Sequence, residues 1–499
     1  MTAAAISRSR WPLLLLLAAC IVRLWAMPLT ASFWVDEMAT AFVVQHGAAD
    51  ASLRVAPQVA ASIYYALPRA SERLFGFSEW AYRLPSLLAL GLAPWFIARA
   101  ARRLLHAEAA WFAIFCCLSF RAFDDQAADA RPYALGTCAV CAGMWFLIRW
   151  LDTGRWRDAA LFAAAAALVC QVHLIFWPMF LVFGGIALFR GRVPRTQRLA
   201  VCAALAVAVG AVFLPAMRLF REAGTHIVAA QPTPGNLASA LRLGSIAAVA
   251  IAAAIFAKWR SWKIARPAAP SLIFIAAWWL ADPLSLFAFS HLTGVSVFVA
   301  RYMSIALPGA ALAITAAVAL FVPAEKCRPI TLALAAGVLI FTGSWSRLWP
   351  THHNSDWRAA AKAVPAGLPV LCPSPFIEAR PPVWRPDYPI DSFLYSNLLV
   401  YPVPGKLYPF PYERSPQAER DAERLWSDTL ASAPGFAMFG VDGAVESWRV
   451  WFRARPETAA WHDRKLGGFG NVSVVVFEGP TWPSPNHEPA SSRPAAPAR

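Results

Sequence analysis

The chain reads as a polytopic α-helical membrane protein with a small α/β domain after its last span. Three observations carry that reading. Of 499 residues, 58% are hydrophobic and only 15% charged, with 23 Trp and 32 Phe, more apolar bulk than a soluble core could hide. Apolar runs of about 20 residues recur, enough to cross a hydrocarbon layer at about 1.5 Å rise per residue. Past residue 348 the composition turns abruptly polar and Pro-rich.

Spans are expected near 11–29, 82–101, 107–121, 133–151, 159–173, 174–189, 198–217, 243–259, 270–290, 301–322 and 330–347. The nearly unbroken stretch 159–189 holds either two short spans or one long one, and charge decides between them. With two, Arg and Lys fall alternately heavy and light on successive connections, as the positive-inside rule requires. The heavy connections carry Arg8 and Arg10; Arg99, Arg102 and Arg103; Arg149, Arg155 and Arg157; Arg190, Arg192, Arg195 and Arg198; Lys258, Arg260, Lys263 and Arg266; Lys326 and Arg328. That side is then cytoplasmic, with the N-terminus inside and everything after residue 348 outside. The formal net charge of +16 is therefore topology and contact with anionic membrane lipids. No basic stripe is interleaved with stacking aromatics, which argues against nucleic acid as a partner.

The first span has a rival reading, since LLLLLAAC ending at Cys20 fits a lipoprotein processing site after a basic start. The apolar run nevertheless continues from Ile21 to Leu29. The other cysteines lie mostly within spans, no pair argues for a disulfide, and the Cys138 to Cys141 spacing inside a helix reads as packing.

The outer connections are unequal. Residues 30–81 form a long first loop that opens with the acidic pair Asp36 and Glu37, two carboxylates just past the end of a span. Its segment VAASIYYALPRASERLFGF places aromatic and aliphatic residues on one face and Arg69, Glu72 and Arg73 on the other, the pattern of a helix lying on a membrane. Three domains follow: a transmembrane part, 1–347, including that loop; an extracytoplasmic α/β domain, 348–480, with helix-like DWRAAAKAV and strand-like LPVLCP, GFAMFG and NVSVVVFEG; and a disordered tail, 481–499.

VRLWAMPLTASFWVDE resembles the Arg-aromatic, then Trp-x-Asp-Glu opening of the bacterial GT-C glycosyltransferases related to protein O-mannosyltransferases and to the lipid A aminoarabinose and galacturonic acid transferases. In the expected order, SEWAYRLPSLLAL is similar to the start of their second span, and DQAADARPYAL to their acidic-x-Arg-x-Tyr segment, with Asp129, Arg131 and Tyr133 in the matching places. CQVHLIFWP resembles their mid-chain histidine with a following aromatic, ARYMSIALPG their Arg-Tyr and Leu-Pro span, and SDWRAAAKAV the opening of their outer domain. These matches run from about residue 22 to 365. One departure stands out: the His-Pro-Pro element that usually precedes the Tyr-Tyr pair is replaced by APQVAASI, although Tyr64 and Tyr65 remain.

The resemblance implies a GT-C fold and an inverting transferase of the bacterial inner membrane. It would take a sugar from a polyprenyl-phosphate donor and pass it to a hydroxyl on a lipid, glycan or protein acceptor at the periplasmic face. Phosphate is already a weakly basic leaving group, so one carboxylate base for the acceptor and cationic groups for the departing phosphate suffice. Asp36 is the expected base, with Glu37 and Asp129 the other catalytic carboxylates. Arg131, Arg83 and Arg301 are expected on the donor phosphate, and Tyr64, Tyr65, Tyr133 and His173 in the substrate pocket. No cofactor is implied with certainty, and a divalent metal requirement stays open.

Each residue also has a plainer role open to it. Asp36 would cap the helix MATAFVV with Glu37 on a solvated face; Asp129 and Arg131 would pair with each other; Arg83 and Arg301 would anchor span ends; His173 would be a hydrogen-bonded core residue. His352, His353 and Asp356 are of metal-binding type without metal-binding spacing. Two rival functions stay open, a transporter or flippase of lipid-linked saccharides and a receptor or assembly protein. Transporters tend to show internal repeats and midplane charges, whereas the ionisable residues here gather at the outer ends of spans.

Overall fold

A computed structural model describes residues 10–55, 62–189, 193–224, 229–262, 267–343, 345–373 and 391–482. Arg8, Arg190, Arg192, Lys263, Arg266, the APQVAA segment at 56–61 and residues 483–499 of the expected tail lie outside these. Contacts divide the chain into two units. The first comprises Met1–Ala31, Thr40–His352 and Glu378–Arg380; the second comprises Ser32–Ala39, His353–Ile377 and Pro381–Arg499.

The first unit begins with α1 (Trp11–Cys20), which continues through a π-helical turn, Ile21–Ala26, and a 3-10 turn, Met27–Thr30, where Pro28 removes a helical donor. Helix α2 (Val35–His46) belongs to the second unit as far as Ala39 and to the first from Thr40. Then come the amphipathic α3 (Ala66–Phe75), α4 (Glu79–Leu104), α5 (Ala109–Leu118), α6 (Tyr133–Thr153), α7 (Trp156–Val172), α8 (Pro178–Phe189), α9 (Arg195–Gly224), α10 (Pro234–Ala240), α11 (Leu243–Trp259) and α12 (Ala269–Thr293). A 3-10 stretch, Ala300–Ala306, leads into α13 (Leu307–Phe321), and α14 (Cys327–Gly337) ends in another π-helical turn.

Helices thus stand where the apolar runs placed them. Five of the helical stretches described, Trp11–Thr30, Glu79–Leu104, Tyr133–Thr153, Ala269–Thr293 and Ala300–Phe321, are long and apolar enough to cross a membrane; α10 with α11, bent by 52°, makes a sixth if taken as one span. The unit is a multi-pass membrane fold with one continuous apolar core running from α1 to α14. Asp282 departs from the expectation that ionisable groups gather at span ends, for it is fully buried in the middle of α12.

Long-range polar contacts close the unit at one end. The buried Arg23, in the π-helical turn, donates from Nε to the Gly343 carbonyl (2.8 Å), from Nη1 to Leu348 (2.6 Å) and from Nη2 to Arg347 (2.8 Å). Its guanidinium also lies 4.4 Å from the Trp345 ring. The Arg of the Arg-aromatic opening therefore ties the first span to the segment following α14. His352 continues the tie, with Nε2 2.8 Å from the Leu24 carbonyl and Nδ1 3.2 Å from that of Asp125.

The second unit is a five-stranded sheet in the order β2-β1-β3-β5-β4. Helix α15 (Trp357–Ala363) is capped by Asp356, whose Oδ1 accepts the Ala359 N–H at 2.9 Å. Strands β1 (Pro369–Pro373) and β2 (Lys406–Phe410) pair in parallel, and β1 pairs in parallel with β3 (Gly435–Val441). Helix α16 (Pro416–Leu425) precedes β3 and α17 (Asp442–Arg453) follows it. Strands β4 (His462–Phe469) and β5 (Val472–Glu478) form an antiparallel hairpin that joins β3 through β5. Phe436, Trp448, Phe452 and Phe477 fill the core. At the hairpin turn Gly470 has φ +71°, and a Cβ there would lie 2.2 Å from the Asn354 carbonyl oxygen, so only glycine fits.

The expected strands at LPVLCP, GFAMFG and NVSVVVFEG are β1, β3 and β5. Two strands escaped the sequence reading. β4 reads HDRKLGGF, a charged edge strand without apolar alternation, and β2 is a short edge strand containing Pro409.

Candidate functional site

In the first unit, five of the expected site residues converge. Arg131 follows a tight turn in which its N–H donates to the Asp129 carbonyl (2.8 Å), and Pro132 then starts α6, so Asp129, Arg131 and Tyr133 are fixed at the head of one helix. All three side chains are buried. The Arg131 guanidinium lies 5.8 Å from the Tyr133 ring, which stacks at 6.0 Å on His173. Tyr302 completes a triangle of rings, 5.8 Å from His173 and 6.2 Å from Tyr133, with the Arg301 guanidinium 5.5 Å above it.

The chain breaks helix at His173 for an identifiable reason. Its Nδ1 accepts the Ile175 N–H (3.2 Å), replacing a helical bond and leaving Nε2 as the protonated nitrogen when the ring is neutral. The following Phe176 is admitted because Gly136 has no side chain; a Cβ there would sit 2.1 Å from the Phe176 ring. Thus QVHLIF is positioned against α6 by one glycine.

Tyr64 and Tyr65 lie beside this group, their rings 5.5 Å apart and both buried. The Tyr64 hydroxyl is 3.5 Å from Ser86 Oγ, and Ser86 in turn donates to the Arg131 carbonyl at 3.4 Å. Burial pushes the Tyr64 phenol well above its usual pKa; Ser86 opposes the shift, Asp129 adds to it, and Arg131 opposes it. Ser62 Oγ holds the start of this turn to the Val172 carbonyl at 2.5 Å. The Tyr-Tyr pair therefore persists in place although the His-Pro-Pro element before it does not.

Arg83 has a structural task that the sequence did not indicate. It is 1% exposed, and its Nη1 faces the carbonyls of Pro28 (3.3 Å), Leu29 (2.9 Å) and Ala31 (2.6 Å). It clamps the chain as it leaves the first span and, being buried, is no snorkelling anchor.

The acidic pair lies in the second unit. The Trp34 N–H donates to Glu37 Oε2 at 3.2 Å, the reach-back half of a capping box, and helix α2 already begins at Val35. The expectation that Asp36 caps this helix is thereby corrected: Glu37 reaches back, and Asp36 sits within the first turn, 4% exposed. Glu37 is fully buried and not on a solvated face. Both carboxylates stand at the positive end of the helix dipole. Their segment is pinned to the same unit: Phe33 N–H donates to the Tyr401 hydroxyl (2.8 Å), Arg358 N–H to Ser32 Oγ (3.2 Å), and Trp34 stacks on His353 at 4.3 Å.

His352, His353 and Asp356 are thus occupied separately, by the span tie, the Trp34 stack and the α15 cap. Among the described residues no group of three or more His, Cys, Asp or Glu is placed to hold a metal ion. Sequence reasoning missed Tyr302, Ser86, Tyr401 and Arg358 as members of these arrangements. Only Tyr302 carried a signal, as the residue after Arg301 in ARYMS.

Residues 61–217 match the family model described as dolichyl-phosphate-mannose-protein mannosyltransferase. No curated protein matches the chain. Two solved structures of ArnT from Cupriavidus metallidurans match along nearly their whole length. The one bound to undecaprenyl phosphate is 12% identical, with a TM-score of 0.50, covering 94% of this chain and 98% of that one. The apo state is 13% identical, with a TM-score of 0.53, covering 93% and 97%. The membrane fold with its small C-terminal sheet domain is therefore the GT-C fold, and the resemblance to glycosyltransferases related to protein mannosyltransferases holds.

Proposed function

We propose, from a GT-C fold and a mannosyltransferase family match across residues 61–217, that this chain is a glycosyltransferase of the bacterial inner membrane. It takes a sugar from a polyprenyl-phosphate donor and delivers it to a hydroxyl of a lipid, glycan or protein at the periplasmic face. The N-terminus is cytoplasmic and the C-terminal domain extracytoplasmic. The observation that carries this reading is the group of Arg131, Arg301, Tyr133, Tyr302 and His173, where two guanidinium groups lie 5.8 Å from the Tyr133 ring and 5.5 Å from the Tyr302 ring of one aromatic patch. Such a patch suits a sugar face, and the guanidinium pair suits a phosphate.

The chemistry is a single inverting displacement. The Asp36 carboxylate takes the proton of the acceptor hydroxyl as its oxygen forms a bond to the anomeric carbon. The bond from that carbon to the phosphate oxygen breaks on the opposite face, and polyprenyl phosphate leaves with the electron pair. Arg131 and Arg301 stabilise the charge that grows on it. Arg83 holds the start of the loop, and Glu37 holds the helix turn that orients Asp36.

Asp282 favours a second reading, a flippase of lipid-linked saccharides, because neither carboxylate oxygen has a hydrogen-bond partner among the described residues in a mid-span position. Purified full-length protein, assayed both in detergent and in proteoliposomes with a radiolabelled polyprenyl-phosphate sugar and a lipid extract as acceptor, separates the two. Label moving to a new product supports the transferase; label remaining on the donor while crossing the bilayer of proteoliposomes supports the flippase.

A further inference from the structure

A cavity of about 190 Å³ in the first unit is lined by Arg242, Ser239, Trp279, Met303, Leu307 and five alanines, with no carboxylate on its wall. Arg242 is unusual in three ways. Its backbone has φ +52°, left-handed and strained for a side chain, at the 52° bend between α10 and α11. Its Nε is buried without a hydrogen-bond partner among the described residues. One face of its guanidinium is covered by the Phe120 ring at 4.1 Å. Burial lowers the guanidinium pKa, and the titratable neighbour that opposes this is the Cys116 thiol. A half-buried cation kept in a strained backbone, with apolar walls and no acidic partner, is incomplete without an anion.

We infer that this cavity binds the phosphate of a membrane amphiphile, with Arg242 as its cation and Ser239 at its mouth. The walls of Ala, Met, Leu and Trp accommodate the first carbons of the ester. Position supports a lipid: Arg242 immediately precedes an apolar helix, α11, whose start has no side-chain cap, so its first-turn N–H groups favour an anion. The site also shares a wall with the aromatic group described above. In the 3-10 stretch Ala300–Ala306, Ala300, Met303 and Ala306 line the cavity, while Arg301 and Tyr302 belong to the other group. An occupied cavity would therefore buttress Arg301 and Tyr302. The inference does not depend on sugar transfer being the function.

The phosphate has two sources, an anionic bilayer lipid or a polyprenyl phosphate. Native mass spectrometry of the full chain in detergent distinguishes them, with phosphatidylglycerol, phosphatidylcholine and undecaprenyl phosphate added separately and in competition. Wild type should retain one phosphate lipid that Arg242→Gln loses by at least roughly tenfold in affinity. Ser239→Trp, which blocks the mouth and leaves Arg242 intact, should lose it too, and decides the matter if Arg242→Gln does not fold. Phosphatidylglycerol retained against an excess of undecaprenyl phosphate identifies a bilayer lipid; displacement by undecaprenyl phosphate identifies the polyprenyl source. Equal retention by wild type and both variants, or by a folded Ser239→Trp alone, overturns the site.

Discussion

Glu37 Oε2 accepts the Trp34 backbone N–H at 3.2 Å, so one carboxylate of the acidic pair secures the helix start while its neighbour, Asp36, stands within the first turn. Glu37→Ala should cost about 1 kcal/mol of stability, the usual worth of a helix-start hydrogen bond. Glu37→Gln, which keeps an acceptor oxygen, should cost less. Thermal unfolding of the purified variants checks the difference; equal losses would remove the capping role.

Arg131 leads the predictions on phosphate. Arg131→Ala should lower kcat/KM for transfer by about 2 to 4 kcal/mol in transition-state stabilisation, and Lys should restore only part, since it lacks the bidentate fork. Arg301→Ala should act in the same direction. Arg83→Ala should instead lower thermal stability, because three carbonyls at Pro28, Leu29 and Ala31 lose their donor. Steady-state kinetics and melting curves on the same preparations separate the two kinds of loss; wild-type turnover in both the Arg131 and Arg301 variants would place the phosphate elsewhere.

Arg23 gives a prediction about the fold alone. Its three charge-assisted bonds to the Gly343, Leu348 and Arg347 carbonyls close the first span against the end of the last one. Arg23→Met preserves bulk and leaves those carbonyls unpaired, at a cost of about 1 to 3 kcal/mol for each one that water cannot reach. Limited proteolysis near residues 343–348 should accelerate in the variant, and unchanged cleavage would contradict the clamp.

Asp125 provides the pH dependence. Burial raises its carboxyl to about 6, against the pull of Arg121, whose Nε is 3.8 Å away. Between about 4 and 6 the folded state keeps a proton that the unfolded chain has released. Stability from this group is therefore present below that window and is lost as pH rises through 6. Asp125→Asn should gain on wild type in Tm at pH 7.5, keep about half of that gain at pH 5 and lose it below about pH 4. His352, 3.7 Å away, acts in the opposite sense once protonated, so the pair should be repeated in a His352→Gln background. A Tm difference that does not change with pH would contradict the shift.

How much of this was legible in the sequence follows from what each feature rests on. Spans announce themselves through composition, and the strands at 370, 436 and 474 through runs of buried apolar residues. Arg131, Tyr133 and His173 were legible as members of one group because ordered motifs marked them, although residues 133 and 173 meet only through the packing of α6 and α7. The task of Arg83 was not legible, because a guanidinium that binds backbone carbonyls leaves no pattern in neighbouring residue types. Nor was the placing of Ser32–Ala39 with the second unit, which rests on Tyr401, Arg358 and His353, more than 300 residues distant in the chain. β4 was hidden because an edge strand facing water has no reason to alternate.

The claim that Asp36 is the base has the most direct test. Asp36→Asn keeps the shape and hydrogen-bonding reach of the side chain and removes its basicity, and Glu37 continues to hold the helix start. Sugar transfer and donor binding should be measured on one sample of purified Asp36→Asn protein in detergent. The account predicts a fall in transfer of about 10² or more, in the range of lost general-base catalysis, with polyprenyl-phosphate binding retained. Full transfer by the Asn protein would contradict it.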